Sequence, residues 1–130
     1  GGNSGIQTST VTVRNMAVGN LQPGTIAMVV LRELRIASTM GVLLGFLVYL
    51  VARVWTDDPI IAVCVGAAMC MAIILSAALG ALIPLFFNKV GIDPAVASGP
   101  LITTLNDGLS LILYFSISIL LLTYMKPIAM

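Results

Sequence analysis

Three long apolar runs dominate the pattern of hydrophobic and polar positions along the chain. They cover residues 36–52, 60–87 and 100–125, and together they contain one charged side chain, Asp107. An α-helix rises about 1.5 Å per residue, so about 20 apolar residues cross a bilayer core of roughly 30 Å. The pattern therefore predicts three transmembrane helices in an all-α membrane protein, a polytopic transmembrane helix bundle.

Polar residues, prolines and glycines divide the chain into four predicted helical units. A short interfacial helix from Thr25 to Arg35 runs into the first span, which ends at the interface anchors Arg53 and Trp55. The predicted units are about 5–19 for a first short helix, 25–54 for the interfacial helix plus span, 59–87 for the second span and 100–125 for the last.

The first short helix carries its polar residues on one face. Asn3, Gln7, Thr10 and Arg14 recur at spacings of four, three and four residues, which is the period of a single helical face. Such a stripe is typical of a surface helix that faces solvent, and it also fits half of a membrane span that lines water inside the protein. The periodicity by itself slightly favours the surface helix.

The composition excludes several classes of function. Hydrophobic residues make up 59% of the chain and charged residues 8%, whereas soluble domains average about 25% charged residues. The net charge is +1 and no basic run is present, so we expect a lipid bilayer and no nucleic acid as partner. The chain has no His and no visible nucleophile–base pair or cofactor motif, so we do not expect an enzyme.

Lys and Arg near the span ends predict the orientation, because cytoplasmic loops of membrane proteins carry an excess of these residues. One side of the predicted bundle holds four of them and the other side two, namely Arg14, Arg32, Arg35 and Lys89 against Arg53 and Lys126. We therefore expect the Arg14–Arg35 region and the Lys89 loop in the cytoplasm. The Asp57-Asp58 turn and the C-terminus are then outside.

Asp107 is a charged residue inside a predicted membrane span. A carboxylate in a membrane span costs about 2.5–3.5 kcal/mol on insertion scales, and no Lys or Arg lies between Lys89 and Lys126. On a helix it belongs to one polar stripe, Thr103, Asp107, Ser110, Tyr114 and Ser118, which predicts a face toward the bundle interior or a water-filled path. The acid either fixes packing by accepting hydrogen bonds or has a transport function, and we favour the second.

The surroundings of Asp107 favour a metal cation over a relayed proton. Thr103 and Thr104 supply oxygens, while Pro100 lacks an N–H and Gly99 allows close backbone approach. A site made only of oxygens suits Mg²⁺, Ca²⁺ or Mn²⁺. One Asp per chain becomes a pair when two chains meet on a twofold axis.

Two groups of residues resemble a known family. The first is Gly1-Gly2-Asn3-Ser4-Gly5-Ile6-Gln7 with Arg14 and Arg32-Glu33-Leu34, and the second is Asp93-Pro94-Ala95, Ser98-Gly99-Pro100, Thr103-Thr104, Asp107 and Tyr114-Phe115. In this order they resemble the MgtE family of magnesium channels. The resemblance begins within the second of that family's five transmembrane helices and continues through the last, so residues 1–130 resemble a fragment of its transmembrane domain.

The resemblance implies a homodimer in the bacterial plasma membrane with a central pore between the second and fifth helices. It implies that Asp107 binds hydrated Mg²⁺, with Mn²⁺, Ca²⁺ or Co²⁺ as other candidate ions, beside the backbone of Gly99 and Thr103. The expected pore-lining side chains are Asn3, Gln7, Thr10, Thr104 and Ser110. Family members also carry N-terminal cytosolic regulatory domains, which we expect to be missing from a chain that opens with Gly-Gly-Asn.

Two other functions remain open at this point. In the first, the chain is part of a proton-coupled secondary transporter in which Asp107 accepts the proton. In the second, it is a membrane scaffold without transport, and the acid matters only for assembly.

Overall fold

The computed structural model describes residues 1–19, 22–97 and 99–125. Four helices follow one another: α1 (Gly2–Ala17), α2 (Pro23–Trp55), α3 (Pro59–Lys89) and α4 (Gly99–Met125), with a short 3-10 turn at Pro94–Val96. Three of them are long and apolar enough to cross a membrane, which confirms the predicted all-α membrane helix bundle. Ser98 and Lys126, which enter the sequence-based predictions, lie outside the described ranges.

The helix ends follow from the local sequence. α3 begins after Asp58, whose carboxylate accepts a hydrogen bond of 2.9 Å from the Ile60 N–H, and Pro59 occupies its first position, where a missing N–H costs nothing. Beyond its other end, Gly91 adopts a φ of +76°, a conformation that glycine reaches without strain. α2 runs without a break from its interfacial turns into the span.

α3 is the central helix of the bundle. In its most apolar window 44% of the residues are buried within the chain, against 17% in α2 and 6% in α4. Small residues make this packing possible: a Cβ built on Gly45 of α2 would lie 2.7 Å from the carbonyl oxygen of Gly66 in α3. Helices inside a bilayer gain little from hiding apolar surface, so close backbone contact is what holds them together.

The contact of α1 with α3 is closer still. A Cβ on Gly80 would clash with the carbonyl oxygen of Gly5, and a Cβ on Gly5 would lie 2.6 Å from Ser76 Oγ. The glycines at the start of α1 make this close contact possible and do not interrupt the helix. α1 accordingly begins at Gly2, not near residue 5 as the sequence predicted. Ser9 Oγ also donates a hydrogen bond of 3.0 Å to the Ala97 carbonyl just before α4.

Candidate cation site

Asp107 lies on α4 where this helix passes the first turn of α1. Its Oδ1 is 4.0 Å from the position that a Cβ would take on Gly2, and the Thr103 methyl group is 3.5 Å from the same point. Glycine at position 2 therefore leaves the space in front of the carboxylate open. The Asp107 side chain is exposed within the single chain.

The charge of Asp107 has no cation close by on the helix it faces. The cation that α1 carries is Arg14, twelve residues beyond Gly2, or about 18 Å along the helix axis. No group of three or more Asp, Glu, Cys or His side chains that could hold a metal occurs in the described ranges. A metal ion at Asp107 would thus be bound by one carboxylate of this chain, and its remaining ligands would be water, neutral oxygens or groups of another chain.

Asp107 opens into a groove of about 500 Å³ between α4 and the α2–α3 pair. Ser110 and Tyr114 line the groove on the side of Asp107, and the opposite wall is aliphatic: Val48, Val65, Ala68, Met69 and Ala72. The Ser110 hydroxyl oxygen is buried and has no hydrogen-bond partner among the described residues. Asp107 is therefore the acid of this wall, and the buried Ser110 hydroxyl beside it has no hydrogen-bond partner among the described residues.

The predicted ligands near the start of α4 are engaged within their own helix. Thr103 Oγ1 donates to the Gly99 carbonyl at 2.8 Å, and Thr104 Oγ1 donates to the Pro100 carbonyl at 2.9 Å. Thr103 lies one helical turn from Asp107, but Gly99 lies two turns away, or about 12 Å along the axis. Gly99 and Asp107 can share an ion only through its hydration shell.

The predicted pore residues of α1 lie on another side of that helix. Asn3 and Gln7 line a separate cavity of about 330 Å³ together with Ser4 and Glu33. Thr10 is exposed, and its hydroxyl donates to the Ile6 carbonyl at 2.8 Å. One chain thus brings Asp107 and Ser110 together, but it does not bring Asn3, Gln7 or Thr10 into their groove.

Comparison with known proteins decides the family. A family described as MgtE, divalent cation transporter, matches residues 1–117. The chain belongs to the MgtE family. The resemblance found in the sequence is thereby confirmed.

Relatives named magnesium transporter MgtE match most of the chain. The protein of Bacillus subtilis (strain 168) is 35% identical over 117 residues, 90% of this chain and 26% of that protein. Those of Enterococcus faecalis and Thermus thermophilus are 36% and 34% identical over 123 residues, with 95% and 94% of this chain and 27% of each protein covered. The chain therefore spans about a quarter of the length of these relatives.

Two polar residues of this MgtE-family chain were missed by the sequence-based prediction. Asn106 is 1% exposed, its Oδ1 has no hydrogen-bond partner among the described residues, and its Nδ2 is 3.0 Å from the Cβ position of Gly1. Glu33 is 5% exposed. The spacing of Thr103, Asn106 and Ser110 on one face could have indicated Asn106, whereas Glu33 stands next to two arginines and looks like a solvated residue.

Proposed function

We propose that this chain forms part of a transmembrane path for Mg²⁺ and that Asp107 is its ion-binding residue. The observation that carries the proposal is the Asp107 carboxylate, which lies next to Gly2 without a Lys or Arg on α4. An isolated carboxylate in a membrane helix is costly unless a cation or water meets it. In a member of a divalent cation transporter family, the cation that meets it is the transported ion.

The chemistry of the surroundings favours Mg²⁺ over softer metals. The polar side chains beside Asp107 are oxygen donors, namely Thr103, Ser110 and the carboxylate itself, while the Met69 thioether belongs to the opposite, aliphatic wall of the groove. Mg²⁺ gives up its water reluctantly and is bound by one or two carboxylates through a retained hydration shell. The groove of about 500 Å³ has room for such a hydrated ion, and Mn²⁺, Ca²⁺ and Co²⁺ are the ions to compare with it.

We further propose that the working pore is a homodimer. Only 6% of the most apolar α4 window is buried within one chain, although this helix carries the polar stripe that lipid would not accommodate. A second copy related by a twofold axis would place two Asp107 carboxylates on one path. It would also allow Asn3 and Gln7 of one copy to approach the α4 of the other.

The test is Mg²⁺ uptake into liposomes containing the full-length protein or its Asp107→Asn variant. Asparagine keeps the shape and removes the charge, so we expect uptake to fall about tenfold or more. Asp57→Asn, which removes an exposed charge from the α2–α3 turn, is the matched control and should leave uptake unchanged.

Two results would separate the alternatives. Uptake that is equal in the Asp107→Asn variant and the parent protein would exclude the proposed site and leave a structural role for the acid. Uptake that stops when an uncoupler removes the proton gradient, with the Mg²⁺ gradient still in place, would indicate a proton-coupled transporter instead of a channel.

A further inference from the structure

Glu33 of α2 is a second carboxylate inside the bundle. Its side chain is 5% exposed, while Arg32 and Arg35 beside it in sequence are exposed. Residues one and two positions apart on a helix do not face each other, so neither arginine turns toward the carboxylate. The charge of Glu33 is thus directed into the protein and not toward the cations of its own segment.

Glu33 contacts α1 through one long hydrogen bond, whose donor is an uncharged hydroxyl. Thr8 Oγ1 donates to Glu33 Oε2 at 3.5 Å, and this is the hydrogen bond that the described residues supply to the carboxylate. A neutral hydroxyl at that distance compensates little of the cost of burying a charge. Among the described residues, the carboxylate of Glu33 is therefore met by this one neutral hydroxyl.

The cavity beside Glu33 has the size and the lining of a site for a hydrated cation. It measures about 330 Å³ and is lined on its polar side by Glu33 with Asn3, Ser4 and Gln7 of α1. At roughly 30 Å³ per molecule, this volume corresponds to about ten waters. Six of them would complete the octahedral shell that Mg²⁺ retains, and the polar side chains offer amide, hydroxyl and carboxylate oxygens, the ligands that hard cations prefer.

The Glu33 cavity and Asp107 both contact α1, at different levels along its axis. Gly2 faces Asp107 and Thr8 faces Glu33, so the two carboxylates contact α1 at levels six residues, or about 9 Å, apart along its axis. Gly1 belongs to the lining of the Glu33 cavity and lies beside Ser110 of the Asp107 groove. The two cavities therefore lie on either side of the first turn of α1.

We propose that Glu33, together with the side-chain oxygens of Asn3 and Gln7, binds a second hydrated divalent cation. Along the axis of α1, this site lies about 9 Å from the site at Asp107. The choice of a divalent ion rests on the proposed function, whereas the choice of a cation rests on the burial of Glu33.

Binding of Mn²⁺ tests the proposal without a transport assay. Mn²⁺ accepts the same oxygen ligands as Mg²⁺, and its free concentration can be read by electron paramagnetic resonance in detergent solution. In the full-length protein, Glu33→Gln should bind one fewer Mn²⁺ per chain than the parent, and Asp57→Asn should bind the same number. Asp107→Asn should lose a different ion, so the losses should add in the double variant.

A substitution that changes no charge tests the same site if Glu33→Gln does not fold. Gln7→Leu leaves every charge in place and removes one amide, so we expect it to weaken Mn²⁺ binding at this site about tenfold. Unchanged Mn²⁺ affinity and stoichiometry in the Gln7→Leu variant would overturn the proposal, whatever Glu33→Gln does.

A purely structural role for Glu33 gives a different result. In that case Thr8→Val and Glu33→Gln would lower the unfolding temperature by similar amounts and leave Mn²⁺ stoichiometry unchanged, which would overturn the proposal. Failure of the proposed function is seen separately, as Mg²⁺ uptake that Asp107→Asn does not alter.

Discussion

α3 and α4 are alike in length and in apolar character, but α3 is largely buried within the chain and α4 is largely exposed. They contain 31 and 27 residues, and the buried share of their most apolar windows is 44% and 6%. α3 packs against its neighbours with glycine and alanine, whereas α4 has exposed Leu, Ile and Phe around one polar stripe. Apolar character places a helix in a bilayer, but small residues decide which helix lies at the centre.

The largest effect should come from placing a side chain where α3 touches α1. In Gly80→Leu the new Cβ would meet the Gly5 carbonyl oxygen, which is backbone and cannot turn away. We expect a loss of about 3 kcal/mol of stability or more, at the upper end of overpacking costs. Thermal unfolding of the full-length protein in detergent measures it.

The matched control is Gly108→Leu on α4, where no atom of another helix in the described ranges lies within 4 Å of the Cβ position. Leucine favours a helix by roughly 0.5–1 kcal/mol over glycine, so the control should unfold at the same temperature or slightly higher. Equal losses in the two variants would contradict the contrast between a packed α3 and an open α4. A loss at Gly108 alone would indicate that another chain packs against it.

A smaller effect is expected from shortening a buried side chain of α3. Ile73 is 3% exposed and packs with Ala37 of α2 and Ala77. Since both states of a membrane helix are surrounded by apolar groups, Ile73→Ala loses packing contacts rather than transfer energy, and we expect about 2 kcal/mol, the low end for such truncations.

Ile112→Ala on α4 provides the comparison for Ile73→Ala. Ile112 is 63% exposed, and lipid can fill the space that its side chain leaves, so the unfolding temperature should stay within error of the parent. A loss as large as that at Ile73 would show that Ile112 lies in an interface.

The smallest effect should come from removing one hydroxyl. Ser76 of α3 is fully buried, and its Oγ donates to the Gly1 carbonyl of the neighbouring helix. Ser76→Ala should cost about 1 kcal/mol, the usual net contribution of a hydrogen bond.

Ser116→Ala is the control on α4 for the Ser76 variant. Ser116 is exposed, and its Oγ donates to the Ile112 carbonyl of its own helix at 2.7 Å, so its removal should change stability by only a few tenths of a kcal/mol. A larger loss for Ser116 than for Ser76 would reverse the comparison of the two helices. Chemical denaturation in mixed micelles is sensitive enough to separate the pair.

Hydropathy predicted the three long helices because membrane spans need continuous apolar sequence, and the family resemblance followed from ordered motifs. Asp107 was found for the same reason, as the one charge in an apolar run. The start of α1 at Gly2 was not found, since glycines look like breaks until the backbone that they contact is known.

The partners of the candidate site were harder to predict than Asp107 itself. The sequence places Asn3 and Gln7 on one face, but it does not say that this face meets α2 and Glu33 rather than α4. That choice depends on which helix the glycines of α1 approach. Burial of Glu33 and Asn106 depends on the same rotation of α1, so neither residue could be singled out by pattern.

The contact between Gly5 and Gly80 also fixes the distance between α1 and α3 at one point. Two backbones meet there without side chains between them, so changes of rotamer do not alter their distance. Gly2 lies about 4.5 Å from this point along the axis, and Arg14 lies about 13.5 Å from it on the other side. For a rigid helix held at this contact, a displacement at the Arg14 end would move the backbone in front of Asp107 in the opposite direction by about a third as much.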